Sequence, residues 1–201
     1  MEKNVIIRAI LGIVAVLVLT VGMFAVVKML MRNQEGGDSG KLGKTLVVYY
    51  SAQNHTEAVA RKIAKQLDAE VFEIRPKNEY SAEDLTWTKS DSRVVREHDD
   101  ENLREVELVE TEVKDWEKYD TVLIGYPIWW GIAAWPTNAF AKEQDFSGKT
   151  VIPFCTSSSS ELGNSAVLLK REAEGGDWQT GHRFASEATD EEITEWVKSI
   201  R

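Results

Sequence analysis

Positive charge is what this sequence is short of. It carries 24 Lys and Arg against 33 Asp and Glu, a net of -9 with its three histidines neutral. The deficit deepens past Lys44, where 18 basic residues face 30 acidic ones for a net of -12. Such a chain repels nucleic acid and anionic headgroups and attracts basic partner surfaces, so no nucleic-acid partner is expected. The single cysteine, Cys155, excludes an intrachain disulfide, and its place in an apolar run makes it a buried, inert thiol. His98 and His182 stand alone, with no second ligand at metal spacing, and read as solvated or structural; no metal is expected. A Gly-x-Ser-x-Gly elbow is missing, which leaves hydrolase chemistry without a nucleophile. Gly148-Lys149-Thr150 has the form of a Walker ending, but its paired glycine would fall where Glu143 stands, which rejects a nucleotide triphosphatase. There is no internal repeat.

Only one apolar run has membrane length. Ala9 to Val27 contains no charge, and at about 1.5 Å per residue it makes roughly 28 Å of helix against a hydrocarbon core of roughly 30 Å. Arg8 and Lys28 bracket it, where charged heads snorkel to the two interfaces. A cleaved signal peptide is the rival reading, but no small-x-small site precedes the basic exit from Lys28 to Arg32. Residues 1–32 are therefore expected to form a single-pass anchor in the cell membrane. Lys3 and Arg8 on one side balance Lys28 and Arg32 on the other, so the positive-inside rule does not choose the side on which the rest sits. Residues 33–43, with four glycines, read as a flexible linker, and residues 44–201 as one domain.

Past the linker, short apolar runs alternate with amphipathic stretches. Thr45 to Tyr50 is apolar on both faces, the pattern of a strand covered by helices on either side. Asn54 is expected to cap the following helix, with Glu57 completing a box-like arrangement and Val59, Ile63 and Leu67 facing the sheet. Further strands are expected at Val71–Ile74, Thr121–Tyr126, Val151–Cys155 and Trp178–Phe184. Helices are expected at Trp135–Lys142, Ser165–Ala173 and Asp190–Ile200, the last with Ile193, Trp196, Val197 and Ile200 on one face. The alternation predicts an α/β, doubly wound parallel sheet.

In such sheets a ligand lies beyond the carboxyl ends of the strands, where strand order reverses. Three turns would meet there. Ser51-Ala52-Gln53-Asn54-His55-Thr56 offers hydroxyls, amides and a helix N-terminus, suited to an anion held by neutral donors, with His55 the only possible cation. Gly125-Tyr126-Pro127-Ile128-Trp129-Trp130-Gly131 offers adjacent indoles that cannot both point inward from a regular strand, so at least one is expected to touch a ligand. The third turn is the Ser-rich run from Thr156 to Ser160. Trp87 is open between capping the core and flanking the ligand.

These residues carry a resemblance. The first turn resembles the phosphate loop of flavodoxins, usually Ser/Thr-x-Thr-Gly-Asn-Thr, and Gly125–Gly131 is similar to their flavin-covering loop. The Tyr80–Trp87 segment (Tyr-x-x-x-Asp-Leu-x-Trp), the Pro-Ile-Trp-Trp run at Pro127–Trp130 and the Ser-rich third loop are similar to a bacterial and archaeal flavodoxin-like branch. The resemblance implies a five-stranded sheet of order 2-1-3-4-5, non-covalent FMN and electron transfer. It assigns cofactor contacts to Ser51, Ala52, Gln53, Asn54, His55 and Thr56, to Pro127, Ile128, Trp129, Trp130 and Gly131, and to Thr156, Ser157, Ser158, Ser159, Ser160 and Gly163. Gln53 and Asn54 depart from the family, standing where Thr and Gly are usual; Asn tolerates a left-handed backbone and Gln can still donate a hydrogen bond.

Reducing a flavin ring adds negative charge to an already acidic domain with no nearby Lys or Arg. At one electron about 59 mV is a tenfold change in equilibrium, so a low-potential donor is expected. The implied partner is a basic redox protein or a membrane quinone. Two alternatives remain open: an FMN-dependent NAD(P)H or quinone reductase, and a membrane-anchored interaction module that has kept the fold and lost the cofactor.

Overall fold

The computed structural model describes residues 42–201; the expected anchor and nearly all of the expected linker lie outside them. Among the described residues no helix is long and apolar enough to cross a membrane. The sheet is built from β1 (Thr45–Tyr49), β2 (Glu70–Glu73), β3 (Thr121–Trp129), β4 (Ile132–Ala133), β5 (Thr150–Ser157), β6 (Asp177–Trp178) and β7 (His182–Ala185). Its helices are α1 (His55–Leu67), α2 (Arg93–Asp99), α3 (Trp135–Glu143), α4 (Ser165–Glu172) and α5 (Asp190–Ile200). The strand order is β2-β1-β3-β5, with β6 and β7 both along the outer side of β5; all of these pairs are parallel.

Alternation along the central strands divides the core into two layers. Leu46 and Val48 of β1, Val122, Ile124 and Tyr126 of β3, and Val151 and Cys155 of β5 face one layer with Trp135 and Phe140 of α3. Val47 and Tyr49, Leu123, and Ile152 and Phe154 face the other, against Val59 and Ile63 of α1 and Ile193, Trp196 and Val197 of α5. Cys155 is fully buried, and burial pushes its thiol up to about 12, so it is an un-ionised packing residue.

Three expectations need correction. The single strand at Trp178–Phe184 is two short ones, because they flank the point where β5 carries Pro153, which has no N–H for a ladder. Gly181, between them, lies so close that an added Cβ would sit 3.0 Å from the Pro153 carbonyl oxygen. The sheet thus holds the expected order with its fifth position filled in two pieces and one added hairpin strand, β4, antiparallel to β3. Finally, Asn54 makes no side-chain cap and Glu57 closes no box: Asn54 has φ 64, outside the extended geometry a capping side chain needs, and Glu57 pairs with Arg61 at 2.7 Å. A full capping box does form at α5, between Thr189 and Glu192.

His182 packs its ring 5.4 Å from Trp196 and 4.5 Å from Phe184, and this partial burial lowers its pKa below the ordinary value near 6.5, with Glu192 opposing. The unfolded chain therefore binds this proton more readily. Its contribution to stability is present above about pH 6.5 and is lost as pH falls through the folded value. Urea unfolding between pH 7.5 and 5 is expected to show a stability loss that His182→Phe reduces; an identical pH slope in the variant would refute it.

A candidate cofactor cleft at the carboxyl ends of the central strands

Strand order reverses between β1 and β3, and there a cleft of about 520 Å³ opens, within the range of small-molecule sites. Its floor is the turn from β1 into α1. Asn54 enters α1 through a left-handed conformation, one that the Gly usual at this position adopts freely and that Asn accommodates. With no side chain capping it, the first-turn N–H groups of α1 have no intrahelical acceptor and the helix's positive end stays open. Beside it the Ser51 hydroxyl oxygen is buried without a partner among the described residues. Thr56 is buried, and its hydroxyl lies 2.8 Å from that of Thr156, tying the first loop to the third. The His55 Nδ1–H donates to the Ser186 carbonyl at 2.9 Å.

The aromatic wall is a strand end and a hairpin rather than a loop. β3 runs on to Trp129, and Trp129 pairs with Ile132 across a two-residue turn, Trp130-Gly131, at φ 47 and φ 82. Positive φ at both central positions is the type I′ pattern that matches strand twist. The chain alternation sends Trp129 inward, against Tyr80 (5.0 Å), Trp135 (5.4 Å) and Tyr50 (5.8 Å), while Trp130 stands 42% exposed at the tip. Both indoles line the cleft.

The third side is the serine run. Ser157 Oγ accepts the Ser160 N–H at 2.8 Å and the Ser159 N–H at 3.3 Å, which curls the loop. Arg183 of β7 clamps it from behind, donating to the carbonyls of Ser157 (2.7 Å) and Ser160 (3.2 Å). Ser158 Oγ meets Ser186 Oγ at 3.2 Å.

The cleft gathers Ser51, Ala52, Gln53, His55 and Thr56, Pro127 to Trp130, and Thr156 to Ser160. Asn54, Gly131 and Gly163 do not line it. Asn54 shapes the helix entry, Gly131 turns the hairpin with open space where a Cβ would be, and Gly163, at φ 51, lies in the approach to α4. Trp87, 73% exposed, is a cleft residue and not a core cap. Leu85, Val94 and Ser186 also line the cleft and were not expected; Leu85 lies inside the Tyr80–Trp87 motif, whereas Val94 and Ser186 had no signal. Among the described residues that line it there is no Asp, Glu, Lys or Arg. A larger hollow of about 1120 Å³, bordered by α3 and α4, is lined by charges of both signs and gathers none of the three loops.

The family described as Flavodoxin matches residues 44–200. A Bacteroides uniformis protein inferred to be a flavoprotein is 38% identical, with a TM-score of 0.71 over 79% of this chain and 99% of its own. A similarly described protein from Bacteroides eggerthii is 34% identical, with a TM-score of 0.69 over 78% and 97% of the two chains. A flavoprotein from Lactobacillus acidophilus, solved in complex with FMN, is 26% identical, with a TM-score of 0.56 over 77% and 98%. Comparison with curated proteins finds no match.

Proposed function

The chain belongs to the flavodoxin family, and on that premise we propose that it is a membrane-tethered electron-transfer protein whose cofactor, FMN, lies in the cleft between the three loops. The observation that carries the cofactor's placement is the Ser51 hydroxyl, buried and without a partner among the described residues, beside a helix N-terminus that no side chain caps. A buried polar group without a partner costs roughly 1–3 kcal/mol, and a phosphate at this point removes that cost. The residues present fit FMN: Ser51, Thr56 and the first-turn N–H groups of α1 would hold the phosphate, and Trp87, Trp129, Trp130 and Leu85 form apolar walls for the ring. When bound, FMN supplies one- and two-electron chemistry that no side chain here provides. The protein's own part is to grip the tail without a Lys or Arg, exclude water from the ring and surround it with an acidic domain. That charge favours a basic redox protein as partner.

A quinone reductase shares the site, and the bare indole of Trp87 at its mouth is the feature that favours it, as a flat apolar platform for a quinone. Tethering by residues 1–32 would hold the domain beside the bilayer and its quinones.

Titrating the full chain with FMN while following tryptophan emission is expected to give an affinity tighter than about 1 μM, near -8 kcal/mol. Ser51→Ala is expected to weaken FMN by about 1.5–3 kcal/mol, the worth of a hydrogen bond to a charged group, and to leave riboflavin binding almost unchanged. Weaker wild-type binding would favour the interaction module. Steady turnover with NADPH and a quinone would favour the reductase over the carrier.

A further inference from the structure

Trp130 sits where a type I′ turn ordinarily has Asn, Asp or Gly. A left-handed backbone is strained for a residue with a Cβ, so something must hold this one in place. The hairpin supplies little: two paired positions on each strand, and open space around Gly131. The partner comes from α2. The His98 ring lies 4.5 Å from the Trp130 ring at 25°, a stacked contact. Arg104 fixes that end of α2, donating from Nη2 to the His98 carbonyl (2.6 Å) and from Nε to the Glu97 carbonyl (2.8 Å). Its guanidinium also lies 4.8 Å over Trp135, whose ring is near-parallel to Trp130 at 6.4 Å. The chain of contacts closes on itself: Trp130, His98, Arg104, Trp135, and back to Trp130.

We propose that His98 is a positioning residue of the cofactor cleft: its imidazole, stacked on the Trp130 indole, holds that indole as a wall of the cleft. The proposal rests on the FMN reading of the cleft. Stacked aromatic rings attract one another beyond the area they bury. Asp99 lies 3.0 Å from Nδ1, and Arg104 donates to the His98 carbonyl. Glu97 is turned to Tyr80 and Arg93, Glu101 is paired with Arg104, and Asp100 caps the following turn. The hairpin from Trp129 to Ala133 contributes no titratable side chain. By linkage, a ligand that needs Trp130 in place binds more tightly to the form that holds it better, so FMN affinity depends on the ring stacked behind that indole.

The test compares FMN affinities of the full chain and two variants at one pH. His98→Phe keeps a stacking ring and is expected to bind FMN within about twofold of the wild type. His98→Ala, lacking the ring, is expected to bind about two- to tenfold more weakly. Rescue by the aromatic variant separates positioning from loss of the imidazole's other contacts, which would weaken both variants alike. A His98→Ala affinity equal to wild type, or a His98→Phe loss as large as that of His98→Ala, overturns the role of His98 alone. Failure of the wild-type chain to bind FMN overturns the FMN reading and this role with it.

Discussion

Gly125→Ala is expected to destabilise the domain by about 1–3 kcal/mol, the cost of forcing a methyl group into a filled core. Gly125 lies in the middle of β3, paired with Tyr49 on one side and Phe154 on the other. A Cβ there would meet Phe154 Cζ at 2.2 Å and Cε2 at 2.5 Å, distances no real carbon pair adopts. Phe154 has nowhere to retreat: it is fully buried, with Phe184 at 6.3 Å and Trp196 at 6.0 Å. β3 must therefore shift, and it is the strand that carries Trp129 and the hairpin. Thermal unfolding followed by circular dichroism should show a drop of several degrees, at roughly 2–4 °C per kcal/mol for a domain of this size. The control is Phe154→Leu in the same background. If the clash is the cause, the double variant is more stable than the two single losses predict, with a coupling of roughly 0.5–3 kcal/mol. Strictly additive losses would show that Gly125 is needed for some other reason.

How far the sequence foretold this arrangement depends on whether each feature is local. α5 runs from Asp190 to Ile200 as its apolar spacing requires, and β1, β3 and β5 lie where the apolar runs put them, because core-facing periodicity is written in neighbouring residues. The three loops converge because a parallel sheet brings the ends of its central strands to one edge. What escaped the reading was set by contacts across long stretches of chain. α2 has only seven residues and no apolar stripe; Val94 and Glu97 alone are buried, and it is held by the bonds of Arg93 and Arg104. The hairpin after β3 lacks the Asn-Gly signal of its turn type, since Trp130 occupies the first position. Arg183, the clamp on the serine run, is 26 residues from Ser157 and sits within an unremarkable polar stretch. His98 reads as isolated in sequence, yet its nearest ring belongs to a residue 32 positions away.

Glu97→Ala is expected to destabilise the domain strongly, as the loss of one member of a buried polar network. Glu97 is 5% exposed, on the inner side of α2, with one carboxylate oxygen 2.7 Å from the Tyr80 hydroxyl and the other 2.7 Å from Arg93 Nε. Burial pushes the Tyr80 hydroxyl well above its ordinary pKa, so it stays protonated and donates. Arg93 also donates to the Asn78 carbonyl, and its guanidinium lies 3.8 Å over the Tyr80 ring. Deleting the carboxylate leaves the partly buried Arg93 without its counter-ion and the buried Tyr80 hydroxyl without its acceptor, a cost of up to about 3–5 kcal/mol where a buried pair loses one member. Glu97→Gln keeps an acceptor but not the charge, and is expected to lose less, about 1.5–3 kcal/mol. The network also bears on the cleft, because Tyr80 packs edge-on against Trp129 at 5.0 Å. Freed from Glu97, the Tyr80 ring no longer backs that indole, and FMN affinity should fall in both variants in the same order as stability. Urea unfolding and FMN titration of the three proteins check this together: equal stability for wild type and Glu97→Ala would refute the buried pair, and unchanged FMN affinity in a destabilised Glu97→Ala would refute its link to the aromatic wall.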